Sequence, residues 1–444
     1  MNRSVISVVC AIAAVAFGTA ARAQTACIAP TTWTSHFDVP APDNVTAPQN
    51  NCAFQLWAWN TFLWMTQPAD SGDTKLRFET FATLDELFAD DTNALRFAAL
   101  PTEKILSLRV RVNKTWEMEG IDSIFQAGSR GVVVHGSDPA SGRALYYSQN
   151  VNPVFYEFVR TNQYYLPKVY AAAPPDTNFP VGTMEFKYSW KIVEPGDDVS
   201  KFYVTPAEIL LLAETTDSSG NTVVVVDPTK TANVDVALVG IHVVGVVQDH
   251  PEFIWATFEH IDNAPDLPTG MNQQSSDPVS DRDWTFYHAN TSANKSNDNP
   301  EGHLKLIDPN TQLLTPSVDI FRAFAYGGGP ADNTANIKSL NESVQTGALA
   351  GSLWANYMLV GSVWGAPNNL IPSQSVSPQF GSTSLANTTM ETFDQQFQSV
   401  NCFSCHTPTG DTLGTGGAVT LPALNMNISH IMKNGFYQQT LAGK

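Results

Sequence analysis

Two thiols and an imidazole stand together near the end of the chain, in Cys402-Phe403-Ser404-Cys405-His406. This is the C-x-x-C-H order by which a c-type haem is attached. Thiols separated by two residues add to the two vinyl groups of one porphyrin as thioethers. The adjacent histidine then lies under the iron and supplies a proximal imidazole nitrogen. So short a spacing holds macrocycle and ligand in fixed relation. The same pattern also arises by chance, so its setting decides its meaning.

An iron held by His406 needs a sixth ligand or keeps a position open to small molecules. Met390, Met426, His430 and Met432 are the donors nearest in sequence. Met390 reads as a packing residue on the helix expected before Cys402. Met426, His430 and Met432 stay open as distal candidates. A second constellation lies far upstream. His242 sits inside a β-like run (VALVGIHVVGV), and Glu259 with His260 ends the next one (IWATFEHID). If the two runs form a hairpin turning near Asp249 or His250, these three residues fall about a rung apart. Imidazoles beside a carboxylate bind a metal or move protons; the plainer alternative is a pair of core histidines bonded to backbone or to Asp262. His36, His135, His250, His288 and His303 read as solvated loop residues.

These groups need elements to position them. Thr388-Thr389-Met390-Glu391 has the spacing of a capping box. Met390, Phe393, Phe397 and Val400 recur at helical period, so the pattern predicts a helix running into Cys402. A short final helix is expected within Leu421 to Met432. Cys52 to Gln67 is apolar and aromatic nearly all round, without Gly or Pro, and predicts a buried helix. Thr83 to Phe88 predicts a short capped helix, and Asn152-Pro153 opens another with Asn152 as cap. Val132–His135, Ala144–Ser148, Thr183–Val193, Val223–Val226, Val234–Val247 and Phe253–Ile261 read as strands, the last two joined by a longer loop. Asp262 to Asn299 reads as a polar surface excursion and Ala335 to Gly361 as helix. The resulting expectation is an α+β fold. Residues 24–365 form a β-rich domain with flanking helices, 366–386 a linker or covering loop, and 387–444 a short helical haem-binding segment.

Residues 1–23 bear on delivery. Arg3 precedes an apolar run from Val5 to Phe17, and Ala21-Arg22-Ala23 fits a cleavage site. The expectation is a signal peptide removed near Ala23, placing the protein in the periplasm or outside the cell. The run is shorter than the ~18 to 20 apolar residues of a spanning helix, and no later run reaches that length, so no membrane span is expected. Haem is attached to c-type apoproteins on the far side of the bacterial cytoplasmic membrane, which agrees with export. Of five cysteines, Cys10 falls in the leader and two serve the haem. Cys27 and Cys52 remain, an even pair in an oxidising compartment, and are expected to form a disulfide. With 42 acidic against 24 basic residues and a net charge of −18, the chain is a poor partner for nucleic acid or anionic membrane. The acidity suits a periplasmic redox partner of basic character or simply solubility; the charge is spread along the chain rather than run together, which reads as a solvated surface more than a docking patch.

The chain resembles a family of large, exported, single-haem proteins known as "cytochrome c family protein". The resemblance is carried by Leu56-Trp57-Ala58-Trp59-Asn60, Phe78-Glu79-Thr80-Phe81, Gly182-Thr183-Met184-Glu185-Phe186-Lys187 and Gly240-Ile241-His242. It continues through Trp255-Ala256-Thr257-Phe258-Glu259-His260-Ile261-Asp262-Asn263, Trp354-Ala355-Asn356-Tyr357 and Leu385-Ala386-Asn387-Thr388-Thr389-Met390-Glu391-Thr392-Phe393. The resemblance implies one covalent haem c and a β-rich N-terminal part built as one unit with the haem segment. It implies no settled reaction. Ile428-Ser429-His430-Ile431 stands where the family has a more Phe-rich ending, so the resemblance itself assigns His430 no ligand role.

Two function classes follow. The first is a carrier of single electrons through haem c. The alternative is a haem-dependent redox enzyme, with peroxide or oxygen chemistry at an open sixth position in a pocket built by the large domain. With 444 residues, the chain is far longer than a minimal carrier needs, which motivates the second.

Overall fold

The structure is a computed structural model; it describes residues 26–34, 51–89 apart from 71 and 73, 106–108, 132–135, 140–216, 220–298, 304–396, 400–413 and 419–441. The expected signal peptide, His36, His303 and Phe397 lie outside these. The first helix is α1 (Asn51–Met65), apolar all round, with Phe54, Trp57, Trp59 and Phe62 fully buried, as such a composition requires. A disulfide between Cys27 and Cys52 ties the lead-in to its start. β1 (Ala82–Thr83) leads into α2 (Leu84–Phe88), whose Thr83 cap accepts from the Glu86 amide while the Glu86 carboxylate accepts from the Thr83 amide. β2 (Leu106–Leu108), β3 (Val133–His135), β4 (Gly142–Ala144) and β5 (Tyr146–Val151) follow. Then α3 (Pro153–Thr161) starts on Asn152, whose side chain accepts from the Phe155 amide, and α4 is Pro167–Ala171.

The body of the protein is the sheet made next. β6 (Met184–Ile192), β7 (Val204–Thr216), β8 (Thr222–Val247) and β9 (His250–His260) are its long strands. After β10 (Lys305–Asp308), β11 (Leu313–Thr315) and α5 (Ala331–Ser343), β12 (Tyr357–Gly365) and β13 (Gln379–Gly381) complete it. β14 (Asp411–Leu413), β15 (Val419–Leu421) and α6 (His430–Leu441) close the chain. The large sheet runs β1-β5-β6-β8-β9-β12-β13, with β7 pairing the first half of β8 and β2 pairing β7 in parallel. A four-stranded sheet, β10-β11-β4-β3, stands beside it. The fold is α+β, with a β-rich body and a C-terminal helix.

Each face of the sheet buries a different layer. One face carries Phe186, Ile241, Val243, Ala256 and Phe258 and is covered by α1 and α5. Gly245 permits the close approach of α1: a Cβ there would lie 2.8 Å from the Trp57 ring. The opposite face carries rows fixed by register. Gln149, Lys187, His242 and Thr257 stand abreast, and Val151, Glu185, Val244 and Trp255 form the next row. On this face lie the segment 385–396 and the described residues between Cys402 and Leu441.

Several expectations are corrected. The Ala144–Ser148 strand breaks at Leu145, giving β4 to the small sheet and β5 to the large one. β8 and β9 are joined by a tight turn, with Val247 paired to His250 and Asp249 at φ +66°. Residues 335–361 are not one helix. α5 ends at Ser343, and Tyr357–Gly365 is a strand buried at every position. A strand covered on both faces shows no alternation, so its apolar run looks like a buried helix. No helix runs into Cys402: 387–396 is a series of turns ending in a 3-10 turn at Asp394–Gln396. The final helix starts at His430 and runs to Leu441, whereas Leu421 ends a strand. Among the described residues no helix is long and apolar enough to cross a membrane.

Candidate functional site

Cys402–Ser404 is a single 3-10 turn. Asn401 fixes it, its side-chain oxygen accepting from the Phe403 amide at 3.0 Å while its own amide donates to the Ser404 hydroxyl at 3.2 Å. The amides of Cys405 and His406 both donate to the Cys402 carbonyl. The turn thereby brings Cys402, Cys405 and His406 to one cleft. Phe403 points the other way, buried edge-on to Trp255. Burial raises the Cys402 thiol well above its ordinary value, and the negative charge of Glu391 adds to this. Cys405 is exposed.

The His406 ring is held from three sides. Nδ1 donates to the Ile428 carbonyl at 3.0 Å, which puts the lone pair on Nε2. Trp255 lies 3.9 Å from it, centroid to centroid, and is itself anchored by its indole N–H on the Glu252 carbonyl. His430 stacks on it at 3.8 Å with the planes 25° apart, its Nε2 at 3.2 Å from the Cys405 carbonyl oxygen.

The cleft has an apolar and a polar wall. Val244, Trp255, Leu385, Val400 and Ile431 make its apolar wall. Gln149, Glu185, Lys187, His242, Glu391 and Asp394 make the polar one. Glu185 is nearly buried, and burial pushes its carboxyl up to about 7 against the opposing bond from Ser429. Burial also pushes Glu391 up, but the charges of His242 and Lys187, with bonds from His242 and the Asn387 amide, outweigh it and hold the carboxyl below its ordinary value. His242 Nε2 donates to Glu391 Oε1 at 2.9 Å.

The segment 385–396 is strapped onto the sheet by a buried polar seam. Asn387 donates to Thr257 Oγ1 at 2.8 Å and to the Phe258 carbonyl at 3.0 Å. Thr388 donates to Glu259 through its amide at 2.7 Å and its hydroxyl at 2.6 Å. The Thr389 and Ser189 hydroxyls share a bond at 2.6 Å, and Tyr147 donates to the Thr389 carbonyl. A Cβ at Gly240 would lie 2.5 Å from the Thr389 hydroxyl, so the strap needs glycine there.

The structure separates several residues that spacing had grouped. The register sets Glu259 one same-face rung from His242, as expected, but of the two only His242 opens on the cleft. Glu259 is fully buried under the strap, paired with Arg322 at 2.9 Å. His260 is stacked on Phe202 at 3.7 Å and lies 3.1 Å from the Lys201 carbonyl; burial pushes its pKa down to about 4. The three form no cluster, and among the described residues no group of three metal-ligating side chains occurs. Met426 and Met432 are 0% and 1% exposed, packed with Leu424, Ile428 and Phe436 in the core below the cleft. His430 does reach the cleft, but it flanks His406 face to face. His250, expected in solvent, is buried and bonded through Nδ1 to Glu252 at 2.8 Å. Glu185, Lys187, Glu391 and Trp255 were missed as site residues. Glu185 and Lys187 are spaced i, i+2 within an apolar strand, a signal that both face one polar surface.

The residues present fit a haem c. The two thiols and the imidazole are brought by one turn to a single cleft that has an apolar wall. His406 has Nδ1 on a backbone carbonyl, the arrangement that metal-bound histidines have. Searched against protein-family models, curated proteins and solved structures, the chain matches none of them.

Proposed function

We propose that this protein is a periplasmic mono-haem c-type cytochrome that carries single electrons. Haem c, joined to Cys402 and Cys405 and ligated by His406, supplies a one-electron Fe(III)/Fe(II) couple. The observation that carries the reading is the convergence of both thiols and a tautomer-fixed His406 on one cleft. The chain's own residues have definite tasks in it. Ile428 orients the His406 ring and raises its basicity through the bond at Nδ1. Trp255 and Val244 exclude water on the sheet side. Lys187 lines the cleft and would be placed to pair with a carboxylate of the macrocycle. The acidic surface suits a basic periplasmic redox partner, which it would steer at low salt.

A second reading, a haem-dependent redox enzyme, draws on the His242–Glu391 pair, a ready acid–base couple in the cleft. One set of measurements tests both. Protein made with a working haem-maturation apparatus is expected to carry one haem by mass and to show a haem c spectrum on reduction. Replacing Cys402 and Cys405 by Ser should abolish both. Wild-type protein that is colourless and at apoprotein mass would sink both readings. Ready binding of carbon monoxide and cyanide would favour the enzyme over the carrier.

A further inference from the structure

We propose that His242 is the second axial ligand of the haem iron, binding through Nδ1, with Glu391 and the strap 385–396 setting its orientation. This rests on the haem reading above and decides between its two forms.

Axial ligands point at one another through the metal. Two imidazoles stacked face to face at 3.8 Å present their nitrogens side by side, so His430 in its place beside His406 is a flanking ring, not an opposing one. Its Nε2 is also held at the Cys405 carbonyl. Met426 and Met432 are core residues outside the cleft lining. Met390 touches the cleft but is packed among Phe393, Val239 and Leu145. His242 remains, on the sheet floor of the same cleft.

Its hydrogen bonding supports the role. A metal-bound histidine donates its other ring N–H to a carboxylate or carbonyl, which fixes the tautomer and raises ligand basicity. His406 has this arrangement through Nδ1 and Ile428. His242 has its counterpart through Nε2 and Glu391, which puts the lone pair on Nδ1. Glu391 is in turn fixed by the Asn387 amide at 2.9 Å, and Asn387 is bolted to β9. The ligand is thus positioned by the large domain, and the proximal side by the C-terminal segment.

The test uses haem-loaded full-length protein, read by optical and electron paramagnetic resonance spectra. Wild type is expected to be low-spin in both oxidation states, without the charge-transfer band of thioether ligation, and inert to carbon monoxide. His242→Ala should lose the low-spin signal, regain it on adding imidazole, and bind carbon monoxide. His242→Met should acquire the thioether band and a higher potential. Glu391→Gln should keep low-spin haem but bind cyanide about 10-fold or more tightly than wild type, because a weaker ligand is displaced more easily. An unchanged low-spin spectrum in His242→Ala overturns the proposal, as does loss of that spectrum in Met390→Leu or His430→Ala instead. If His242→Ala does not fold, wild type and His242→Met still test the proposal: a thioether band or a high-spin ferric signal in wild type refutes bis-histidine ligation, and a His242→Met protein that keeps the wild-type spectrum refutes His242 as the ligand. Absence of haem from the wild-type protein would be the separate failure of the haem reading.

Discussion

Arg322 is the cation beneath the strap, and replacing it by Met tests whether the seam is as demanding as its geometry implies. Arg322 is 2% exposed and Glu259 is 0% exposed. The guanidinium donates to Glu259 Oε2 through Nε at 3.2 Å and Nη2 at 2.9 Å, and to Asp266 through Nη1. Desolvation alone would lower its pKa; Glu259 and Asp266 raise it above its ordinary value instead, so the charge is kept. Removing one partner of a buried pair costs roughly 3–5 kcal/mol, because the other charge is left uncompensated. Glu259 would retain two donors from Thr388, which points to the lower end, about 3 kcal/mol. Thr388→Val removes one hydroxyl bond to a charged acceptor and should cost about 1.5 kcal/mol. The double variant Arg322→Met/Glu259→Gln should cost about 2 kcal/mol less than the sum of its singles, since neither charge is then stranded. Urea unfolding followed by tryptophan fluorescence measures all of these. Hydrogen exchange locates the damage, with protection expected to fall across 385–396 and to hold in α1. A loss under about 1 kcal/mol for Arg322→Met, or additive singles, would refute an energetically coupled seam.

Cys27→Ser with Cys52→Ser opens a disulfide spanning a separation of 25 residues and should lower stability by roughly 3 kcal/mol, read as a drop in urea midpoint against the oxidised wild type. Gly435→Ala should destabilise by about 1–3 kcal/mol despite better helix propensity, because a Cβ there lies 2.1 Å from the Phe88 ring; Phe88→Leu should relieve it in the double variant. Glu185 and His260 make opposed contributions to pH dependence. With its pKa raised from 4.5 to about 7, native Glu185 holds a proton the unfolded chain has released, so its contribution falls as pH rises through that window. With its pKa lowered from 6.5 to about 4, native His260 lacks a proton the unfolded chain binds, so its contribution rises with pH. Urea midpoints of Glu185→Gln should therefore climb between about pH 4.5 and 6.5 relative to wild type, and an unchanged profile would rule out the buried carboxyl as the cause.

Local rules read best where local bonds decide. Thr83 with Glu86 and Asn152 with Pro153 cap their helices as their sequences predict, because a cap is satisfied within one turn of chain. The aromatic run of α1 announces burial by composition alone. Thr388 to Phe393 misleads for an instructive reason. Glu391 does reach back, but to the Asn387 amide, while Thr388 spends its amide and hydroxyl on Glu259, far away in sequence. Short polar side chains that find tertiary partners have no reason to cap a helix. β12 is similarly opaque, since its character is set by what lies on both faces rather than by its own period. At the site, the C-x-x-C-H spacing alone singled out Cys402, Cys405 and His406. The opposite wall comes from β5, β6 and β8, and only the register brings Gln149, Lys187 and His242 abreast.

The polar seam also explains why so large a body accompanies so short a C-terminal segment. Asn387, Thr388, Thr389 and Thr392 are all fully buried, and each buried polar group left without a partner would cost about 1–3 kcal/mol. Off the sheet, a Thr-rich stretch of this kind is a poor helix and has no core of its own. On it, Thr257, Glu259, Ser189 and Tyr147 take up its donors and acceptors one by one. Ordering of the strap and completion of the sheet face are therefore one event. Glu391 rides on that strap, His242 on the sheet beneath it, and their bond forms only when the two have docked. The environment offered to an iron at His406 is thereby written into strands more than a hundred residues upstream, which a free-standing C-terminal segment has no means of reproducing.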